Sequence, residues 1–205
     1  MRLWIMSDLH LELTRGWDLP AQRPDFDVLV VAGDLITRME RGVRWLAERV
    51  SDRPVVYVAG NHESYGVDVD RTMEKAMEAA RDTSVVVLAD RAVAIGDTVF
   101  AGATLWTDFD LFGDRRRAMA VAGARMNDYR KIRINGYADR FQPRHALARH
   151  HASRAFIDVE LRKPRGDGKL VVVTHRCRAQ LQPRPIVSGR RPTTTRCWTR
   201  PIARI

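Results

Sequence analysis

The sequence predicts an α/β fold with parallel strand pairing in its first half. Short apolar runs rich in β-branched residues recur there, as in strands that are buried on both faces. Stretches whose apolar residues recur at helical spacing separate these runs. Alternating strand and helix signals favour a parallel sheet, because parallel neighbours must be joined by a long crossover connection.

The predicted elements of the first half follow one another closely. Strands are predicted at residues 3–6, 28–31, 55–58 and 85–88. One helix is predicted between the second and third strands from Val43, Leu46, Ala47 and Val50, and another between the third and fourth from Met73, Ala76, Met77 and Ala80. Residues 92–95 and 98–104 then flank Gly96-Asp97, a two-residue turn signal that predicts an antiparallel hairpin.

The second half of the chain is less regular. The polar, arginine-rich stretch from Asp108 to about Pro143 predicts loops with short helices. A helical pattern returns in Ala148, Ala152, Ala155, Phe156 and Val159. A last buried strand is predicted at residues 170–173, directly before Thr174 and His175.

Composition and charge predict one globular domain followed by a basic tail. The 205 residues are 45% hydrophobic and 29% charged, and no apolar run approaches the roughly 20 residues of a membrane helix. We therefore expect a cytoplasmic protein without membrane contact, whose two cysteines, Cys177 and Cys197, form no disulfide framework. Of the net charge of +10, +9 comes from residues 168–205, which hold nine basic residues and no acidic one. We predict a domain over residues 1–175 and a disordered Arg- and Pro-rich tail over residues 176–205.

Polar side chains directly follow four of the predicted strands. They are Asp8 and His10, Asp34, Asn61 and His62, and His175. In an open α/β sheet the carboxyl ends of the strands line the ligand crevice, so one rim could collect all six residues. Carboxylates can bridge two cations, while imidazole and amide groups complete a shell suited to Mn, Fe, Zn or Ni. Two such ions about 3.5–4 Å apart can clamp a phosphoryl group.

Each of these residues also has an ordinary structural explanation. Asp34 or Asn61 could cap a following helix, and His175 could be a hydrogen-bonded histidine at a strand end. Strand alternation, however, predicts that Asp8 and His10 point to the same side, and the glycines before Asp34 and Asn61 allow a close backbone approach. The occurrence of all four clusters in this order favours a metal site.

The four clusters also resemble the motif blocks of the calcineurin-like metallophosphoesterase superfamily. The matching blocks are Asp8-Leu9-His10, Gly33-Asp34, Gly60-Asn61-His62-Glu63 and the late His175. The resemblance implies a two-sheet α/β sandwich flanked by helices, with two divalent metal ions bound between the sheets. It implies that Asp8 and His10 bind one ion, that Asn61 and His175 bind the other, and that Asp34 bridges them. It also implies that His62 is catalytic and lies beside the substrate, together with Asp34.

Two departures from the family pattern matter. In the protein serine/threonine phosphatase branch, a further Asp and an Arg-Gly pair follow the second block, whereas this chain continues with Leu35-Ile36-Thr37-Arg38. This form of the second block is similar to that of the small bacterial-type phosphoesterases. Residues 104–108 and 126–130 also resemble that group. The final Gly-His-x-His block, with one histidine for each metal, has no counterpart, since no histidine follows His175. We therefore expect the C-terminal part of the fold to be missing.

Three interpretations stay open for residues 176–205, which hold eight Arg and four Pro. The first is a reading-frame change or truncation after His175. The second is a basic arm for nucleic acid or an acidic partner, because several arginines could contact phosphates. The third is a solvated loop. The run from Arg115 to Arg117 is likewise a solvated face or a guide for an anionic substrate.

The function predicted from the sequence is hydrolysis of a phosphomonoester or phosphodiester through a metal-bridging hydroxide. We expect this activity to be impaired, because both metals lack a histidine. The alternative is a non-catalytic binding protein of the same fold that uses its tail for nucleic acid or an acidic partner. A third hypothesis is that a partner chain supplies the missing histidines. The expected partner is a phosphate-ester substrate, and nucleic acid is not favoured.

Overall fold

The computed structural model describes residues 1–14 and 16–175. The expectations for residues 176–205, including the disordered tail and the two cysteines, lie outside the described residues. Within the described part of the chain, no helix combines the length and the apolar character needed to cross a bilayer.

A four-stranded parallel sheet forms the first layer. Its strands are β1 (Leu3–Met6), β2 (Val28–Ala32), β3 (Val55–Val58) and β4 (Val85–Leu88), which are neighbours in chain order. Nearly every residue of β2 and β3 is buried, which explains why both strands are continuous apolar runs. The predicted strands and their parallel pairing are confirmed, with β2 one residue longer than predicted.

Two helices cover one face of this sheet. Helix α1 (Met39–Arg49) follows β2, and helix α2 (Val69–Ala79) follows β3. Met39, Val43 and Leu46 of α1 are fully buried against the apolar side chains of the strands. The helical spacing seen in the sequence is therefore the stripe that faces the sheet.

An antiparallel hairpin follows the first sheet, as the sequence predicts. Strands β5 (Arg91–Ile95) and β6 (Thr98–Ala103) pair around the turn at Gly96 and Asp97. Phe100 in β6 is fully buried and points toward the first sheet.

The irregular stretch after β6 is more ordered than the sequence suggests. It contains an eleven-residue helix, α3 (Arg115–Arg125), a short helix, α4 (Asp128–Lys131), and a small hairpin of β7 (Arg133–Ile134) and β8 (Asp139–Arg140). The hairpin was not predicted, because two-residue strands are too short to show an alternating pattern. The long helix α5 (Pro143–Arg162) confirms the predicted late helix.

The last described strand, β9 (Lys169–Thr174), completes a second sheet in the order β5-β6-β9 and pairs in parallel with β6. The two sheets face each other across a shared apolar core: Val28, Val30, Val56, Val58 and Leu88 from the first sheet, with Phe100 and Val173 from the second. The predicted two-sheet sandwich flanked by helices is therefore confirmed.

The two sheets meet where β2 and β9 end. The Nδ1 of His175, directly after β9, lies 2.9 Å from the carbonyl oxygen of Ala32, the last residue of β2. Beyond β1 the chain continues beside the end of β2, because the backbone nitrogens of Asp8 and His10 donate to the carbonyls of Gly33 and Asp34. This contact region gathers the polar residues of the candidate site.

Candidate metal centre

Asp34 lies at the centre of the polar cluster and is 5% exposed. Its Oδ1 accepts a hydrogen bond of 2.9 Å from the backbone nitrogen of His62. Its Oδ2 lies 3.4 Å from the Nε2 of His175 and 3.8 Å from the Nε2 of His10. The carboxylate therefore contacts residues from both sheets, and it does not cap α1, which begins only at Met39.

Two compact groups of metal-binding side chains share this carboxylate. One group is His10, Asp34 and His62, and the other is Asp8, Asp34 and His175, with all donor atoms of a group within 4.8 Å of one another. Asp8 Oδ1 is also 4.0 Å from His10 Nε2, so these two can still serve one ion, as the family resemblance implies. Mixed imidazole and carboxylate donors around a shared Asp fit two divalent cations of the Mn, Fe, Zn or Ni type.

The backbone turns unusually at three of these residues. Asp8, His10 and Asp34 have φ angles of 56°, 47° and 54°, in the left-handed region that residues other than glycine rarely adopt. Strand β1 ends at Met6, so strand alternation does not orient Asp8 and His10, and that explanation was wrong. Local strain of this kind is retained mostly where function requires it.

Two glycines next to Asp34 in space, Gly33 and Gly60, are required for steric reasons. Gly33 has a φ of +86°, and a Cβ there would lie 2.5 Å from the Nδ1 of His175. A Cβ at Gly60 would lie 2.7 Å from the backbone nitrogen of Asp34. The two glycines thus let the ends of β2, β3 and β9 approach one another closely.

Hydrogen bonding fixes the orientation of His175. A carbonyl oxygen can only accept, so the contact with Ala32 requires the hydrogen of His175 to be on Nδ1. Nε2 therefore faces Asp34 with its lone pair when the ring is neutral. A metal-binding histidine commonly donates its other ring hydrogen in this way.

Asp34 and His175 shift each other's ionisation. Burial disfavours the charged form of Asp34, but the hydrogen bond and positive charge of His175, aided by the His62 backbone, outweigh it and lower the pKa of Asp34 to about 2. Burial likewise opposes the charged form of His175, yet the hydrogen bond and charge of Asp34 raise the pKa of His175. Asp34 is consequently negative at neutral pH, as a cation ligand must be.

Asn61 is held by two neighbours that lie outside the predicted set. Its side-chain nitrogen donates to Asp128 Oδ1 at 2.9 Å and to the hydroxyl of Tyr65 at 3.0 Å. Its side chain makes no capping hydrogen bond to the 3₁₀ turn His62–Ser64, so the capping explanation does not apply. With the amide nitrogen engaged, the amide oxygen is the atom that remains to face a cation.

Glu63 anchors the site from inside the protein. It is fully buried and accepts hydrogen bonds from the backbone nitrogens of Asp34, Leu35 and Gly60 and from the hydroxyl of Tyr57, at 2.8–3.1 Å. Burial and the charge of Asp34 raise the pKa of Glu63, whereas hydrogen bonds from Tyr57 and Leu35 oppose this shift. The carboxylate ties the loops after β2 and β3 together.

His62 is partly exposed, with 21% of its side chain accessible to solvent. Its ring is 4.3 Å from the ring of His10 and 4.2 Å from the ring of Tyr65, centre to centre. Its Nδ1 lies 2.7 Å from Glu12 Oε1. His62 thus contacts one candidate ligand directly while part of its ring reaches the solvent.

The structure brings Asp8, His10, Asp34, His62 and His175 together, with Asn61 beside them. Sequence reasoning missed the roles of Glu12, Glu63, Tyr65 and Asp128. Glu63 and Asp128 do occur in stretches that resemble family blocks, and Glu12 continues the series Asp8, His10 at the same spacing. These signals were available, but none identifies a hydrogen-bond partner.

Comparison with known proteins agrees with this geometry. The sequence model of the calcineurin-like phosphoesterase family matches residues 1–179. No curated protein matches the chain. The matched range includes all six predicted site residues and both sheets of the sandwich. The chain therefore belongs to the calcineurin-like phosphoesterase family, a family of metal-dependent enzymes that act on phosphate esters.

Proposed function

We propose that this protein hydrolyses a phosphomonoester or phosphodiester with two divalent cations held by Asp8, His10, Asp34, Asn61 and His175. The observation that carries the proposal is the buried carboxylate of Asp34, which two groups of nitrogen and oxygen donors share. A carboxylate in this position can bridge neighbouring cations. When bound, the cations would polarise the phosphoryl oxygens and make a nucleophile available at neutral pH.

The residues of the chain have distinct tasks in this proposal. Asp34 keeps its negative charge at neutral pH, because its pKa is lowered to about 2. Ala32 and Asp128 orient His175 and Asn61 through hydrogen bonds. His62 is partly exposed, as are Asp8 and His10, and it is placed to donate a hydrogen bond to a phosphoryl oxygen or a proton to the leaving group.

An activity assay with Asp34→Asn tests the proposal. The assay uses Mn²⁺ with an aryl phosphate and with an aryl phosphodiester, which also separates the two ester classes. Asn at this position cannot bridge two cations as a carboxylate does, so we expect activity to fall by more than roughly 100-fold, beyond the usual cost of losing an outer-shell partner. Asp167→Asn, an exposed carboxylate, is the matched control and should retain activity. Equal activity of wild type and Asp34→Asn would exclude the metal-centred function.

We expect metal binding itself to be weak. The sequence has no histidine after His175, so the family's last two ligands have no counterpart in it. Activity should therefore keep rising as Mn²⁺ is added well beyond one ion per metal site. Metal content measured by mass spectrometry also tests the alternative of a non-catalytic binding protein, which needs no metal. The tail on which that alternative depends lies outside the described residues.

His62→Ala distinguishes a substrate-contacting role from a metal-binding role. If His62 assists proton transfer, the variant loses about 10²–10⁴ in turnover while Mn²⁺ affinity is retained. We expect this result, because the motif resemblance implies that His62 lies beside the substrate and not among the metal ligands. Loss of Mn²⁺ binding in proportion to loss of turnover would instead identify His62 as a ligand within its group with His10 and Asp34.

A further inference from the structure

Lys131 places a positive charge next to the candidate metal centre. Its Nζ lies over the ring of Tyr65, 5.0 Å from the ring centre. The ring of Tyr65 in turn lies 4.2 Å from the ring of His62, centre to centre. The ammonium group is therefore no farther from the ring centre of His62 than the sum of these two distances. A small molecule whose phosphoryl group is bound beside His62 can span that gap.

The backbone of Lys131 is held in place, whereas its ammonium group is available to a ligand. The backbone nitrogen donates to the carbonyl of Asn127 at 2.8 Å, and the carbonyl accepts from the nitrogen of Gly66 at 3.1 Å. The side chain belongs to an exposed residue, and its ammonium group has no acidic partner among the described residues. Contact with the face of an aromatic ring attracts a cation but does not neutralise its charge.

The segment that contains this lysine is strongly basic. From the start of α3 to the end of β8, residues 115–140 hold eight basic and two acidic residues. Both acidic side chains are already engaged, since Asp128 accepts a hydrogen bond from Asn61 and Asp139 accepts one from Asn135. A ligand that contacts this segment therefore meets net positive charge, which attracts anions.

We propose that Lys131 binds a second anionic group of the substrate, which is then a phosphate ester that also carries a carboxylate or a further phosphate. The inference rests on the proposed function, because it places the first phosphate beside His62. The two cations of that function already offset the charge of the first phosphate, so the charge of Lys131 is left for another group. A lysine acts as a flexible point charge and can follow such a group without a fixed geometry.

The test is calorimetric titration with unreactive phosphonates in the presence of excess Mn²⁺. Benzylphosphonate carries one anionic group. Para-carboxybenzylphosphonate adds a carboxylate, and para-xylylenediphosphonate adds a second phosphonate. Wild type should bind at least one of the latter two about 10-fold more tightly than benzylphosphonate, which is the size of one charge-assisted hydrogen bond. The tighter of the two compounds identifies the second group of the substrate.

Lys131→Met removes the charge but keeps an unbranched side chain over Tyr65. This preference should disappear in the variant, while the affinity for benzylphosphonate changes little. Lys131→Arg keeps a cation and should keep the preference. Arg130→Met is the matched control, because it removes the same charge from the same helix. The guanidinium of Arg130 is held elsewhere, since it donates to the carbonyl of Ala124 at 2.6 Å. This control should keep the preference, which separates a direct contact from the general positive field.

Equal affinities of wild type for the three phosphonates, or no binding of any of them, overturn the inference. A preference that Lys131→Met retains, or that Arg130→Met loses to the same extent, overturns it as well. The Asp34→Asn assay measures turnover of simple aryl esters, whose aryl groups carry no second anion. Asp34-dependent turnover without the phosphonate preference is therefore a failure of the inference alone. The preference without Asp34-dependent turnover is a failure of the proposed function alone.

Discussion

At the scale of single residues, Asp34 and His175 form an ion pair between the two sheets. The side chains are nearly buried, and Asp34 Oδ2 lies 3.4 Å from the Nε2 of His175. The pKa of Asp34 is lowered to about 2 and that of His175 is raised. In the absence of metal, this pair stabilises the fold. In the proposed function, a bound cation would take the place of the proton on the Nε2 of His175.

The pair predicts a particular pH dependence for the metal-free protein. The stabilisation of the fold that comes from the raised pKa of His175 is complete below the ordinary histidine pKa. It is lost as the pH rises through the raised pKa. The stabilisation that comes from the lowered pKa of Asp34 is complete above the ordinary aspartate pKa. It is lost as the pH falls through about 2. The difference in unfolding free energy between wild type and Asp34→Asn should therefore be largest between about pH 4 and 6.5 and shrink as the pH rises through the raised pKa of His175.

Urea denaturation across this pH range, in the presence of a chelator, measures that difference. Asp167→Asn should show no comparable pH dependence, because Asp167 is exposed. A difference between wild type and Asp34→Asn that stays constant with pH would contradict the assigned ion pair.

At the scale of elements, the segment from α4 to β8 supports the loop that carries Asn61. The carbonyl of Lys131 accepts from the nitrogen of Gly66, and the nitrogen of Arg133 donates to the carbonyl of Val67. Tyr129 and Ile132 pack in a second apolar core with Trp106 and Phe141. This packing places Asp128 against Asn61 and makes an irregular surface segment part of the candidate site.

Asp128→Ala should weaken metal binding without direct loss of a ligand. Asn61 would lose the acceptor that fixes its amide, and we expect Mn²⁺ affinity to fall by about 10–100-fold. Tyr65→Phe should have a smaller effect, because Asn61 keeps its hydrogen bond to Asp128. Calorimetric titration measures both, with the exposed Asp139→Ala as the control from the same segment. Unchanged affinity in Asp128→Ala would remove Asp128 from the site.

At the scale of the whole molecule, the packing of the two sheets determines whether the site forms. Asp8, His10, Asp34, Asn61 and His62 follow strands of the first sheet, and His175 follows a strand of the second. Phe100 and Val173 pack against Val56, Val58 and Leu88 between them. The candidate centre therefore depends on a core that contains no functional residue.

Phe100→Ala should destabilise the protein by about 3–5 kcal/mol, the usual cost of removing a large buried aromatic side chain. Phe100 is fully buried, whereas Phe112 is 90% exposed. Phe112→Ala, a change of the same chemistry on the surface, should stay within about 0.5 kcal/mol of wild type. Urea denaturation curves give the unfolding free energies of both variants. Similar midpoints for the two variants would contradict the assigned inter-sheet core.

The sequence by itself determined the strands and the residues that follow them. Strands buried on both faces are continuous apolar runs, so 28–31 and 55–58 can be read directly from local composition. The proximity of Asp34 and Asn61 could likewise be predicted from the chain, because parallel strands of one sheet end at a common edge, whereas His175 follows a strand of the second sheet. Local signals were sufficient for these features.

Only the tertiary structure decided how those residues are oriented and which groups support them. Asp34 and Glu63 are 29 residues apart, and Asn61 and Asp128 are 67 apart, so no local pattern records either contact. The left-handed turns at Asp8 and His10 arise where the chain leaves β1 and follows the end of β2. Burial makes these partners necessary, because a polar group removed from water must find its hydrogen bonds within the folded protein.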